Sequence, residues 1–148
     1  MRALSLSLSL LVTLFAAACQ STAHDEAAIL FVLRDQRDAW NAGDVEAFMA
    51  RGYWESEELL FVSGEDEHKG YDAVLARYRA RYTEGDAEMG QLTFSELVVT
   101  DVDGGEATAT GRWDLDFERS EDIGGHFILG LRRLPVGWRI VRDETTSD

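Results

Sequence analysis

Few residues in this chain are of types that do chemistry. The histidines are His24, His68 and His126, and no spacing joins them into a metal-ligand set. His126 and Asp143 fall on neighbouring predicted strands, where an imidazole and a carboxylate would form an acid–base pair. The plainer use of His126 is a half-buried side chain with one hydrogen bond. Glu144 is the other carboxylate on the last strand, and alternation places it with Arg142 on the face opposite Asp143. Asp101-x-Asp103-Gly104-x-Glu106 has some acids of a calcium loop, but EF-hand spacing and its twelfth-position Glu are missing, so it reads as a hairpin turn. Glu55, Glu57, Glu58, Glu65, Asp66 and Glu67 read as a solvated acidic rim. No G-x-S-x-G, phosphate-binding loop or nucleotide fingerprint occurs. The one thiol, Cys19, sits next to an N-terminal apolar run and serves no thiol catalysis. No metal or cofactor is expected.

The elements that must position these residues follow from periodicity. Ile29, Val32, Leu33, Gln36 and Trp40 form a helical stripe, Gly43 caps its end, and Asp44 N-caps a second short helix carrying Val45, Phe48 and Met49. Leu59-Leu60-Phe61-Val62 reads as a buried strand, with Glu65-Asp66-Glu67 as an acidic turn. Tyr71, Val74, Leu75, Tyr78 and Tyr82 make a third helical stripe, with Arg77, Arg79 and Arg81 mostly outside. From Leu92 onward the chain alternates. Leu92 and Phe94 lie in one phase and Leu97 and Val99 in the other, which predicts a bulge near Ser95-Glu96. Asp103-Gly104-Gly105 turns the chain, and Ala107, Ala109, Gly111, Trp113, Leu115 and Phe117 share the next inward face, leaving Asp114 and Asp116 outside. Strands over 125–134 and 137–144 flank Pro135. Three helices before a long antiparallel meander give an α+β layout in one domain.

Charge and the N-terminus bound the setting. The 148 residues carry 28 acids against 14 Lys and Arg, a net charge of -14, which repels phosphate backbones and excludes nucleic acid as a partner. Residues 1–18 read as a signal peptide: Arg2, an apolar run over 3–15 and the small residues Ala16-Ala17-Ala18 before Cys19. The run is too short to span a bilayer. The AAAC end resembles a bacterial lipobox, with Ala16 where Leu is most usual. Cleavage before Cys19 and its lipidation would anchor the chain, and Gln20 rather than Asp after the Cys suits the periplasmic face of the outer membrane. An ordinary secretory signal cut after Ala18 would instead give a secreted or periplasmic protein. Residues 19–25 form a tether, and 26–148 form the domain.

Six stretches in order carry a resemblance: AWNAGDVEAFMARGYW from Ala39, LLFVSG from Leu59, KGYDAVLARYRARY from Lys69, MGQLTFSELVV from Met89, GRWDL from Gly111 and GWRIVRDETTS from Gly137. Together they resemble the nuclear transport factor 2-like superfamily, in its SnoaL-like branch of small domains. The resemblance implies a cone-like curved antiparallel sheet wrapped around three N-terminal helices, a pocket in the open end, and dimers formed through the sheet. It places Trp40, Tyr53, Trp54, Phe61 and Trp113 at the pocket, where they would otherwise be core. It puts Phe61 where family isomerases hold their carboxylate base, and a phenyl ring takes no proton. Relatives with HDHTS near the last strand would carry His there; this chain has Arg142-Asp143-Glu144-Thr145-Thr146-Ser147, so histidine or metal chemistry at that place is lost. Two functions stay open. One is a membrane-tethered domain that binds a small apolar or aromatic molecule, or serves as a dimeric scaffold, without catalysis. The other is a lyase, isomerase or cyclase acting on a small hydrophobic substrate through Asp143, with His126 or Tyr53.

Overall fold

The computed structural model describes the backbone of residues 6–148 and the side chains of residues 21–148. The signal peptide's side chains and the Cys19 thiol lie outside the described residues. Helix α1 (Leu6–Asn41) runs through the stretch expected to be a tether, and Asp25 is already buried there against Arg133. Gly43, at a φ of 78°, ends the first helical unit, and Asp44 accepts the Ala47 N–H at 2.8 Å to start α2 (Val45–Gly52). Then come β1 (Leu60–Ser63), β2 (Asp66–Lys69), α3 (Tyr71–Tyr82), β3 (Gln91–Asp103), β4 (Glu106–Asp116), β5 (Ile123–Leu134) and β6 (Gly137–Ser147).

The strands form one curved, unclosed sheet in the order β2-β1-β6-β5-β4-β3. The antiparallel expectation holds from β3 to β6 and fails at β1, which runs parallel to β6. Parallel neighbours need a long crossover, and the chain between β1 and β6 supplies one. The acidic turn is half right, because Ser63 pairs with Asp66 around Gly64-Glu65 and the acids continue into β2. Helix α1 is fastened to the sheet by a side chain that imitates a strand: Asn41 Nδ2 donates to the Leu92 carbonyl at 3.0 Å and Asn41 Oδ1 accepts the Leu92 N–H at 2.7 Å.

Two of the sheet's changes of register matter for the interior. In β3 the register shifts between Ser95 and Val98, where Glu96 takes a φ of 54°, as the alternation indicates. In β6 a second bulge sits at Val141, since Gly130 faces Arg142 while Leu131 faces Ile140. Trp138 and Ile140 are buried, so uninterrupted alternation would turn Arg142 inward. The extra residue turns Asp143 inward instead. In β4, Ala107, Ala109 and Leu115 are buried and Trp113 and Phe117 packed against the core; Asp116 is exposed, and Asp114 is half-buried beside Arg112.

Candidate functional site

The open end of the sheet holds a cavity of about 80 Å³ between the helices and the inner faces of β3 to β6. That is room for a few waters or part of a small ring compound. Its wall is an edge-to-face aromatic cluster: Trp40 lies 4.9 Å from both Phe48 and Tyr82, and Tyr78 lies 5.2 Å from Phe48 and 5.8 Å from Phe61. Trp40 satisfies its indole N–H on the Met89 carbonyl at 3.0 Å, and Trp113 donates to the Thr146 carbonyl at 3.2 Å.

Polar groups converge on one side of this wall. Tyr53 follows α2 and bridges to Ile140, and the next N–H, of Trp54, donates to the Ile140 carbonyl at 2.9 Å. This seats the Tyr53 ring beside β6. Its hydroxyl donates to Asp143 Oδ2 at 2.6 Å, and Tyr78 Oη lies 3.1 Å from Tyr53 Oη. With the Tyr53 proton committed to the carboxylate, Tyr78 is the donor in the second bond. Burial pushes the Asp143 carboxyl up to about 6; the Tyr53 hydrogen bond and the charge of Arg77 pull it down, and Glu144 adds to the rise. Burial and the neighbouring carboxylate hold Tyr53 well above its ordinary range, and burial does the same to Tyr78, so both remain donors at neutral pH. Among the described residues, two buried side-chain polar atoms have no hydrogen-bond partner: Asp143 Oδ1 and Gln36 Nε2. Gln36 lies over Gly52, where a Cβ would fall 2.1 Å from Nε2.

Trp40, Tyr53, Phe61, Trp113 and Asp143 therefore come together around one cavity. Two expected residues do not join them. Trp54 is half-buried with the Arg132 guanidinium 5.5 Å over its ring; in extended backbone, Tyr53 facing in turns its neighbour out. His126 lies on the outer face of β5, because Phe127 and Leu129 occupy the inner one, and its ring is 3.9 Å from Glu96 and Asp148. Asp143 pairs in register with Leu129, so the His126–Asp143 pair does not form. Phe61 lies directly opposite Asp143 across the β1–β6 pairing. Gln36, Arg77 and Tyr78 also line the cavity. The signal for Gln36 was its place as the one polar member of an apolar stripe. Among the described residues no group of three or more His, Cys, Asp or Glu side chains stands close enough to hold a metal ion.

A cavity of this make-up in such a cone fits a small-molecule-binding domain. No protein-family model and no curated protein matches the chain. Solved structures do. One is a nuclear transport factor 2-like (NTF2-like) superfamily protein from Salmonella enterica, with a TM-score of 0.70, 14% identity, and coverage of 85% of this chain and 92% of that one. Another is an NTF2-like protein with a cystatin-like fold from Novosphingobium aromaticivorans, with a TM-score of 0.66, 23% identity, and coverage of 89% and 87%. At those identities the likeness speaks for the fold alone. An NTF2-like protein of unknown function from Shewanella oneidensis is nearer, with a TM-score of 0.74 over 82% of this chain and 98% of that one. At 30% identity over that length the likeness extends to sequence, and the chain belongs to the NTF2-like superfamily.

Proposed function

We propose that this protein binds a compact, mostly apolar, ring-bearing molecule in its cone, oriented by a hydrogen bond donated to Asp143. The observation that carries this reading is the Asp143 Oδ1 atom, buried and without a partner beside an aromatic cavity. Leaving such a group unsatisfied costs about 1–3 kcal/mol, and a ligand hydroxyl or N–H would recover it. The AAAC signal supports a lipid tether at Cys19, which would hold the cone at the periplasmic face of the outer membrane.

The cavity walls provide the assay, because Trp40 and Trp113 line it. Titrating 2-naphthol against tryptophan fluorescence is expected to show saturable binding that weakens about tenfold in Asp143→Leu, in line with the loss of one charge-assisted hydrogen bond. Equal affinity in both proteins would sink the assigned role of Asp143.

One observation favours a second, catalytic reading. A carboxyl pushed up to about 6, with a free oxygen in an apolar site, is suited to take a proton from carbon. Deuterium exchange at the α-carbon of 2-tetralone, followed by NMR, separates the two readings. Catalysis requires exchange that rises through pH 6 and disappears in Asp143→Asn; binding alone gives exchange at the solvent rate.

A further inference from the structure

We propose that the molecule taken by the cone is an amphipathic anion, its rings among the aromatic walls and its charged head held at the mouth by Arg77 and Arg81. This rests on the small-molecule reading above and specifies its class. The two arginines stand four residues apart on α3, on one face a turn from each other, and both line the cavity. The Arg77 guanidinium lies 4.3 Å over the Phe61 ring, and that of Arg81 lies 5.5 Å over Tyr82. Among the described residues neither guanidinium donates a hydrogen bond, so the N–H donors of both are unspent.

That arrangement is unusual in this chain. With 28 acids for 14 bases, a cation here has carboxylates in excess, and most arginines have taken one. Arg79, between the two on the same helix, reaches Glu46 at 2.6 Å. Arg51 reaches Asp35 at 2.9 Å, Arg119 reaches Glu88 at 3.2 Å, and Arg112 holds both Asp114 and Asp148. Among the described residues no carboxylate stands within ion-pair distance of Arg77 or Arg81. Arg34 and Arg139 also lack an ion pair among the described residues, but of these four only Arg77 and Arg81 line the aromatic cavity. Arg81 also borders a groove lined by Asp116, Glu121 and Asp122. Those acids repel an anion that lies in the groove and leave the cavity side, under Arg77, as the place where a head group gains from both charges.

Asp143 and the arginine pair line the same cavity and ask for one ligand that carries a donor and an anion at separate points of a ring system. The probes are 2-naphthol and 6-hydroxy-2-naphthoate, which differ by one carboxylate, titrated calorimetrically at pH 7.5. The expected result is binding of the carboxylate probe at least tenfold tighter than 2-naphthol, an advantage that shrinks as salt is raised. Arg77→Gln with Arg81→Gln is expected to bring the two probes to equal affinity, while Arg77→Lys with Arg81→Lys keeps most of the gap. The lysine protein also guards against misreading a folding defect. Equal affinities in the unmodified protein, with both probes bound, would overturn the anion preference and leave the cavity reading standing. An advantage that survives the double glutamine change would likewise overturn the assignment to these arginines. Binding of neither probe would remove the cavity reading and this inference together.

Discussion

Asp143 gives the molecule a pH dependence that can be worked out from its surroundings. Unfolded, its carboxyl titrates near 3.8; folded, it titrates at about 6 because burial disfavours the charge. Between those values the folded state holds a proton that the unfolded state has released, so stability falls as pH rises through that window and is level above it. The difference corresponds to about 3 kcal/mol at neutral pH. Asp143→Asn keeps an acceptor for Tyr53 and has no charge to bury, so its urea midpoint should exceed that of the unmodified protein at pH 7.5. The gap should close by about pH 4, and a gap independent of pH would refute the assignment. Gly52 makes a second case. Any Cβ there meets the Gln36 amide, which is itself buried, so Gly52→Ala should displace that amide from the cavity wall, weaken 2-naphthol binding severalfold and cost about 1–3 kcal/mol of stability in urea unfolding. At this scale sequence spoke unevenly. The aromatic types at Trp40, Tyr53 and Trp113 marked themselves, and Asp143 stood out as a carboxylate on the last strand, although plain alternation from Trp138 and Ile140 would turn Arg142 inward in its place. Gln36 and Arg77 gave weaker signals: a polar residue in an apolar stripe is visible, whereas which arginine of three on α3 is half-buried at the cavity depends on where the sheet curves.

The elements show why local pattern reaches only part of this architecture. The β3 bulge is legible because apolar residues mark both phases, Leu92 and Phe94 before it and Leu97 and Val99 after it. In β6 the inward residues after the bulge are Asp143, Thr145 and Ser147, so no apolar pattern announces the change of phase. Strand β2, made of Asp66, Glu67, His68 and Lys69, has no strand-like composition and exists because β1 offers it an edge. The parallel pairing of β1 with β6 is a long-range fact that neither strand encodes alone. Among the joints, the Asn41 clasp is the most economical to test. Asn41→Ala removes both hydrogen bonds to Leu92 and leaves a half-buried backbone N–H and C=O on β3 without their partner. Chemical unfolding should register a loss of about 2 kcal/mol. A loss under about 0.5 kcal/mol would mean that water replaces the side chain at that edge.

For the whole molecule the governing quantity is charge. The interior is a neutral aromatic and aliphatic core whose one buried acid at the cavity is Asp143, while the outside carries the rest of a net -14. The exposed ion pairs, such as Arg51 with Asp35, Arg132 with Glu106 and Lys69 with Glu58, each contribute little, of order 0–1 kcal/mol. The unpaired acids repel one another at longer range, and that repulsion favours the expanded chain. Salt acts on the two unequally. Raising the ionic strength from about 0.01 M to 0.15 M shortens the screening distance from about 30 Å to about 8 Å, which removes most of the long-range repulsion and leaves contacts of a few ångströms largely intact. Sodium chloride should therefore raise the melting temperature over that range, and a protein stabilised mainly by its surface pairs would melt earlier instead. The same screening should weaken 6-hydroxy-2-naphthoate and spare 2-naphthol, because only the first has a charge for Arg77 and Arg81 to hold. Salt that stabilises the fold while it erodes the preference between the probes would separate the acidic shell from the two arginines at the mouth.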